Sequence, residues 1–134
     1  GIAALKIVSS GEAIKKANAV AQRLREVLNE IIDEQGINWC VYGLFSGFRI
    51  LKGHDCSKRS ECDFQMCEYD HDKLKLGGDP AMERSFRLGM LINGVDISPS
   101  LALTSAAHSM DDVDRTAAAF DATIVQMKKG ELIK

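Results

Sequence analysis

GVDISPSLALTSAAHSMDDVDR, residues 94–115, is the stretch around which the other segments fall into order. Its first part, residues 95–98, alternates apolar and polar and runs into Pro99, which predicts a strand that stops there. Residues 101–107 predict a second short strand. Ser109, with Asp112 three positions on, predicts a helix start with an acidic first turn. Val113, Ala117, Phe120, Ile124 and Met127 then repeat at three and four, the spacing of one buried helical face, and Gly130 ends it. Upstream, Asp79 before Pro80 places a cap ahead of a proline in the first helical position. Met82, Phe86 and Met90 share a face of that helix, which Gly94 closes.

Further back, residues 11–35 carry Ile14, Ala17, Ala21, Leu24, Leu28, Ile31 and Ile32 at helical spacing. They predict an amphipathic helix about 37 Å long, at 1.5 Å per residue, with Ser9 and Glu12 as a capping box and Gly36 as a left-handed stop. Lys15, Lys16, Arg23, Glu26, Glu30 and Glu34 fall on its polar face. Residues 1–8 have helical composition without a start signal and no leading methionine, as expected of a fragment cut within a helix. Residues 38–42 and 44–51 are rich in aromatic and β-branched side chains and predict two strands broken at Gly43. Gly47 within the second predicts a bulge or a close backbone approach. Periodicity fails over residues 53–79, which predict an irregular loop or lid. The order helix–strand–strand–loop–helix–strand–strand–helix predicts an α+β domain, a small antiparallel-rich sheet with helices on one face.

A chain of 134 residues suffices for one core that buries roughly two-thirds of its unfolded surface. The formal net charge of −2, with both signs interspersed, gives no electrostatic case for nucleic acid or an anionic membrane. No apolar run approaches the roughly 20 residues that span a bilayer, and no signal peptide is read. The four cysteines, Cys40, Cys56, Cys62 and Cys67, are therefore expected as thiols in a cytoplasmic protein.

Residue chemistry offers several sites, each against a blander reading. His54, Cys56, Cys62, Cys67 and His71 gather in one segment. Their thiol spacings, Cys-x5-Cys and Cys-x4-Cys, are not the zinc knuckle, and a polar loop with incidental cysteines is preferred. Cys67 with His71 could form a nucleophile and base, but no nucleophile motif frames the thiol. His108, between small residues at a strand-to-helix junction, is read first as satisfying backbone groups there. Arg49, beside Phe48, is read as the solvent-facing member of an alternating strand rather than a carboxylate partner. None of the ten lysines is expected in an apolar setting that lowers its pKa for Schiff-base chemistry. No metal ligand is assigned.

Four stretches carry a resemblance to a known family: GIAALK opening onto the long helix, GLFSGFRI (residues 43–50), FRLGMLINGVDISPS (86–100) and SAAHSMDDVDRTAAAFD (105–121). In their order and spacing they resemble the C-terminal small domain of class III pyridoxal-phosphate (PLP)-dependent aminotransferases, in the glutamate-1-semialdehyde aminomutase-like branch. The resemblance covers nearly the whole chain and implies one C-terminal domain over residues 1–134, entered through the tail of an interdomain helix. It implies a homodimeric parent that transfers amino groups of small amino compounds through lysine-bound PLP. The Schiff-base lysine, the pyridine-nitrogen aspartate and the phosphate-binding residues lie in that family's large domain, so no catalytic or cofactor-binding residue is carried over and the isolated domain is expected to hold no cofactor. Ornithine-type members place an arginine before a Pro-Pro pair where this chain reads LALTSAA (101–107), and the aminomutases have a longer, glutamate-bearing loop there. The resemblance therefore implies an aminotransferase of unspecified amino donor. By position, Ser98, Ser100 and Thr104 are the residues expected nearest a substrate in the interdomain cleft. The domain's implied part is closure of that cleft. The competing reading is a stand-alone interaction or metal-binding module built on residues 53–79.

Overall fold

The computed structural model describes residues 1–53, 56, 79–98 and 101–134. In chain order the elements are α1 (Ile2–Ser9), α2 (Glu12–Gln35), β1 (Trp39–Tyr42), β2 (Gly47–Lys52), α3 (Pro80–Ile92), β3 (Ala102–Leu103) and α4 (Met110–Lys129). The strands form an antiparallel sheet in the order β1-β2-β3, with Val41 opposite Ile50 and Phe48 opposite Ala102. The expected α+β class holds.

The helices form where apolar spacing and end chemistry agree. Ala17, Ala21, Leu24, Leu28 and Ile32 of α2 are buried, and Gly36 closes the helix at φ 62°. The Asp79 side chain caps α3 by accepting from the Ala81 N–H at 3.0 Å. Ser109 and Asp112 make a reciprocal capping box at α4, and Val113, Ala117, Phe120, Ile124 and Met127 are all buried. On the sheet, Trp39, Val41 and Phe48 face the helices and join their core, with Ile50 packed against it. At its centre Trp39, Phe86 and Phe120 meet edge to face, with centroids 5.4, 6.2 and 5.7 Å apart, the arrangement the ring quadrupoles favour.

Five local expectations change. Ser9 and Glu12 make no capping box: Gly11 (φ 74°) is the cap residue of α2, and Ser9 ends α1, donating its hydroxyl to the Lys6 carbonyl. Ile14 is exposed, whereas Asn29 lies on the buried stripe. The glycine that a close approach requires is Gly43 rather than Gly47: a Cβ on Gly43 would stand 2.1 Å from the Gly47 carbonyl oxygen, while one on Gly47 would make ordinary contacts. Residues 95–98 form no ladder. Gly94 (φ 90°) and the bond from Val95 N–H to the Met90 carbonyl turn the chain off α3, so the alternation that buries Ile97 serves packing alone. The second expected strand shrinks to Ala102–Leu103, because a turn closed by His108 N–H on the Ser105 carbonyl cuts it short.

Gly89 is fixed by packing. A Cβ there would sit 2.5 Å from Cγ2 of buried Thr123, whose hydroxyl donates to the Ala119 carbonyl at 2.7 Å. Ala is favoured over Gly in a helix by about 1 kcal/mol, yet overpacking a stiff β-branched neighbour costs about 1–3 kcal/mol. Gly89→Ala is therefore expected to destabilise by up to about 2 kcal/mol in urea unfolding. Adding Thr123→Ser, which removes that methyl and keeps the hydroxyl, should recover most of the loss. A more stable Gly89→Ala protein would mean that α3 and α4 are free to part.

Candidate functional site

The segment after α3 and the β3 strand face each other across an open depression of about 370 Å³, within the usual size of ligand sites. Leu24, Phe48 and Ile97 give it apolar walls, and Ser98, Thr104 and His108 contribute polar atoms. Ser98 and Thr104, expected nearest a substrate, are thus brought together. Ser100 lies outside the described residues. Ser98 is exposed. The Thr104 hydroxyl donates to the Ala17 carbonyl at 2.8 Å, and its N–H to the Ser46 carbonyl at 2.9 Å. Its single proton is thereby committed to α2, which leaves the oxygen only as an acceptor toward a ligand.

The hairpin beneath is held from α2. Arg25 Nη1 donates to the Phe45 carbonyl at 3.0 Å, keeping a turn in which Phe45 adopts φ 54°. Asn29 bridges to β1, its Nδ2 donating to the Val41 carbonyl at 2.8 Å and its Oδ1 accepting from the Val41 N–H at 2.9 Å.

His108 has the backbone role expected of it. Nδ1 accepts from the Ser105 N–H at 3.0 Å and lies 3.0 Å from the Ser105 hydroxyl. Beside it, the backbone and hydroxyl hydrogen bonds of Ser109 hold the Asp112 carboxyl below the ordinary carboxylate range, with His108 and Arg115 adding to the effect. Across the depression, Asp96 pairs with Arg87 at 3.2 Å.

Two cations depart from expectation. Arg49 is half-buried rather than solvent-facing, and with Ser98 and Lys52 it lines a cavity of about 10 Å³, roughly one water at most. The Lys52 side chain is 2% exposed, its Nζ 2.8 and 2.9 Å from the two oxygens of Glu83 and 4.5 Å from the Phe86 ring centroid. Burial pushes its pKa below the usual lysine value, against the opposing pull of Glu83. So one lysine does occupy an apolar setting. Strand parity carried the signal, since Lys52 shares a face with Phe48 and Ile50. Its amine is spent on Glu83 beneath two rings, so it is not offered to a cofactor, and no lysine is among the described residues that line the depression.

Among the described residues no group of three or more His, Cys, Asp or Glu could hold a metal ion, and no helix is long and apolar enough to cross a membrane. Of the cysteine–histidine segment only Cys56 is described. His54, Cys62, Cys67 and His71 lie outside the described residues.

No family model matches the chain. It is 32% identical over 126 residues to a glutamate-1-semialdehyde 2,1-aminomutase from Methanosarcina acetivorans, covering 90% of this chain and 26% of that protein. The corresponding figures for the same-named protein of Halorubrum lacusprofundi are 25% over 136 residues, 90% and 31%. The FumI protein of Sphingopyxis sp. MTA144, solved with PLP, superposes with a TM-score of 0.71 at 18% identity, over 99% of this chain and 27% of that one. An omega-transaminase from Sphaerobacter thermophilus gives 0.63 at 18% identity, over 86% and 24%. The chain thus spans about a quarter to a third of the length of the proteins it matches. It is related by sequence to one segment of the aminomutases and shares the fold of the matching part of PLP transaminases.

Proposed function

We propose that this chain is the C-terminal small domain of a class III PLP-dependent aminotransferase of the aminomutase-like branch. In that role it closes the active-site cleft and helps set substrate choice without supplying the catalytic lysine. The observation that carries this reading is the lopsided match, 90% of this chain against 26% of its relative. Helix α1 supports it. It has eight residues, none of them buried, and Ile2, Leu5, Ile7 and Val8 are each more than half exposed. A helix this short is marginal by itself in water, and its apolar side chains fit a face laid against the large domain. The whole enzyme would be a cytoplasmic homodimer acting on a small amino compound.

PLP, bound in the large domain, would supply the electron sink for amino transfer. This chain's share is to shape the cleft and exclude water. Ser98, exposed at the depression, donates or accepts a hydrogen bond at the substrate's far end. Thr104, its proton committed to Ala17, accepts one, and Ser100 lies between them in sequence. Neither arginine nor lysine is among the described residues lining the depression.

Stoichiometric PLP, borohydride reduction and mass-spectrometric mapping of the chain test the reading. Scattered partial labelling of exposed lysines such as Lys15, Lys16 and Lys129, with Lys52 unmodified, is expected. One lysine labelled to completion would give the chain its own cofactor site and overturn the domain assignment.

A further inference from the structure

We propose that the neutral imidazole of His108 latches the turn over residues 104–109, and that its protonation releases this turn and reshapes the rim of the depression beside Ser98 and Thr104. The latch itself is read from geometry, and only its bearing on substrate rests on the aminotransferase reading.

A backbone N–H can only donate. Because Nδ1 accepts from the Ser105 N–H at 3.0 Å, that nitrogen carries a lone pair and the ring proton sits on Nε2. The turn is closed twice, by this bond and by His108 N–H on the Ser105 carbonyl. A proton taken from solvent goes to Nδ1 and sets two N–H groups against each other. The Ser105 hydroxyl, which already accepts from the Ala107 N–H, can rotate to accept from the new N–H as well. The backbone N–H has no such choice and loses its acceptor, so the ring or the peptide must move. Thr104 begins this turn and His108 itself lines the depression, so the movement alters the rim.

The charged surroundings favour this response. On α4 the Asp112 carboxylate stands close enough to interact electrostatically with His108 and Arg115, and Asp111 and Asp114 lie within two residues of it in sequence. Across the depression Asp96 is balanced by Arg87. The residues that α2, β2 and β3 contribute to the lining are uncharged: Leu24, Phe48, Ala102 and Leu103. An imidazolium released from Ser105 therefore has an anion, Asp112, on its own side. Ser109 holds the Asp112 carboxyl below the ordinary carboxylate range, so Asp112 remains the anion that an imidazolium would meet.

The test is nitrogen-15 NMR of the labelled chain from about pH 8 to 5. At the upper end Nε2 should carry the proton and Nδ1 should not. On acidification the Ser105 amide resonance should shift with the same midpoint as the His108 ring, and its exchange protection, corrected for the intrinsic rate, should fall about tenfold. In His108→Asn the side-chain carbonyl can accept the Ser105 N–H without titrating, so the response should vanish while the fold persists. A proton on Nδ1 at the upper end would overturn the proposal. So would an indifferent Ser105 amide, or an equal response in the Asn variant. None of these outcomes touches the aminotransferase reading, which the PLP labelling decides separately.

Discussion

Asn29→Leu is expected to lower the unfolding free energy by about 3 kcal/mol, although it exchanges a polar residue for an apolar one of similar size on the buried stripe of a helix. Asn29 behaves as a surrogate strand. Its amide donates to the Val41 carbonyl at 2.8 Å and accepts from the Val41 N–H at 2.9 Å, satisfying the outer edge of β1. Val41 is buried, so leucine would strand one donor and one acceptor away from water. Each costs about 1–3 kcal/mol, and the apolar gain returns only about 1–2 kcal/mol. Asn29→Asp should be worse, because a carboxylate keeps the acceptor but sets a charge against the Val41 carbonyl. Urea unfolding of both variants reads the loss. A leucine protein within about 0.5 kcal/mol of the parent would mean that water reaches Val41.

Asn29 also shows where the sequence stops being informative. Periodicity located α2 and α4 because their buried faces repeat at three and four, and cap chemistry placed Asp79 and Ser109 correctly because those bonds are local. A polar residue beside Leu28 and three before Ile32 stood on the apolar stripe, and that was the available signal. Its partner, twelve residues on in β1, was not legible. Residues 95–98 misled for the opposite reason. Their alternation matched a strand, yet a strand exists only where a ladder partner stands, and β3 pairs with β2 over two positions. At the depression, family order brought Ser98 and Thr104 together, but the commitment of the Thr104 hydroxyl to Ala17 spans 87 residues and needed the fold. Lys52 owes its apolar setting to the strand face it shares with Ile50 and Phe48 and to the Trp39 and Phe86 rings, and the rings come together only in the fold.

That lysine sets up an asymmetric result. Glu83→Leu alone should cost about 3–5 kcal/mol, because it leaves an ammonium whose side chain is 2% exposed with no counter-charge. Lys52→Met with Glu83→Leu together should fall close to the parent, since a buried ion pair returns little beyond its own desolvation and two apolar side chains fit against Trp39 and Phe86. The parent's pH profile supplies an independent sign. The Lys52 pKa is lowered on folding, chiefly by burial, so between its folded value and the ordinary lysine value the unfolded chain binds more protons. Stability relative to the double variant should therefore rise with pH as that window is crossed toward about 10.5, whereas a lysine whose pKa folding had raised would give the reverse. The pair also joins the strand end at Lys52 to the first turn of α3, fixing the helix from which the Ser98 segment emerges. If the single and double variants lose the same stability, the charge was never desolvated, and the hold of α3 on the sheet rests on apolar packing, Phe86 and Met90 foremost.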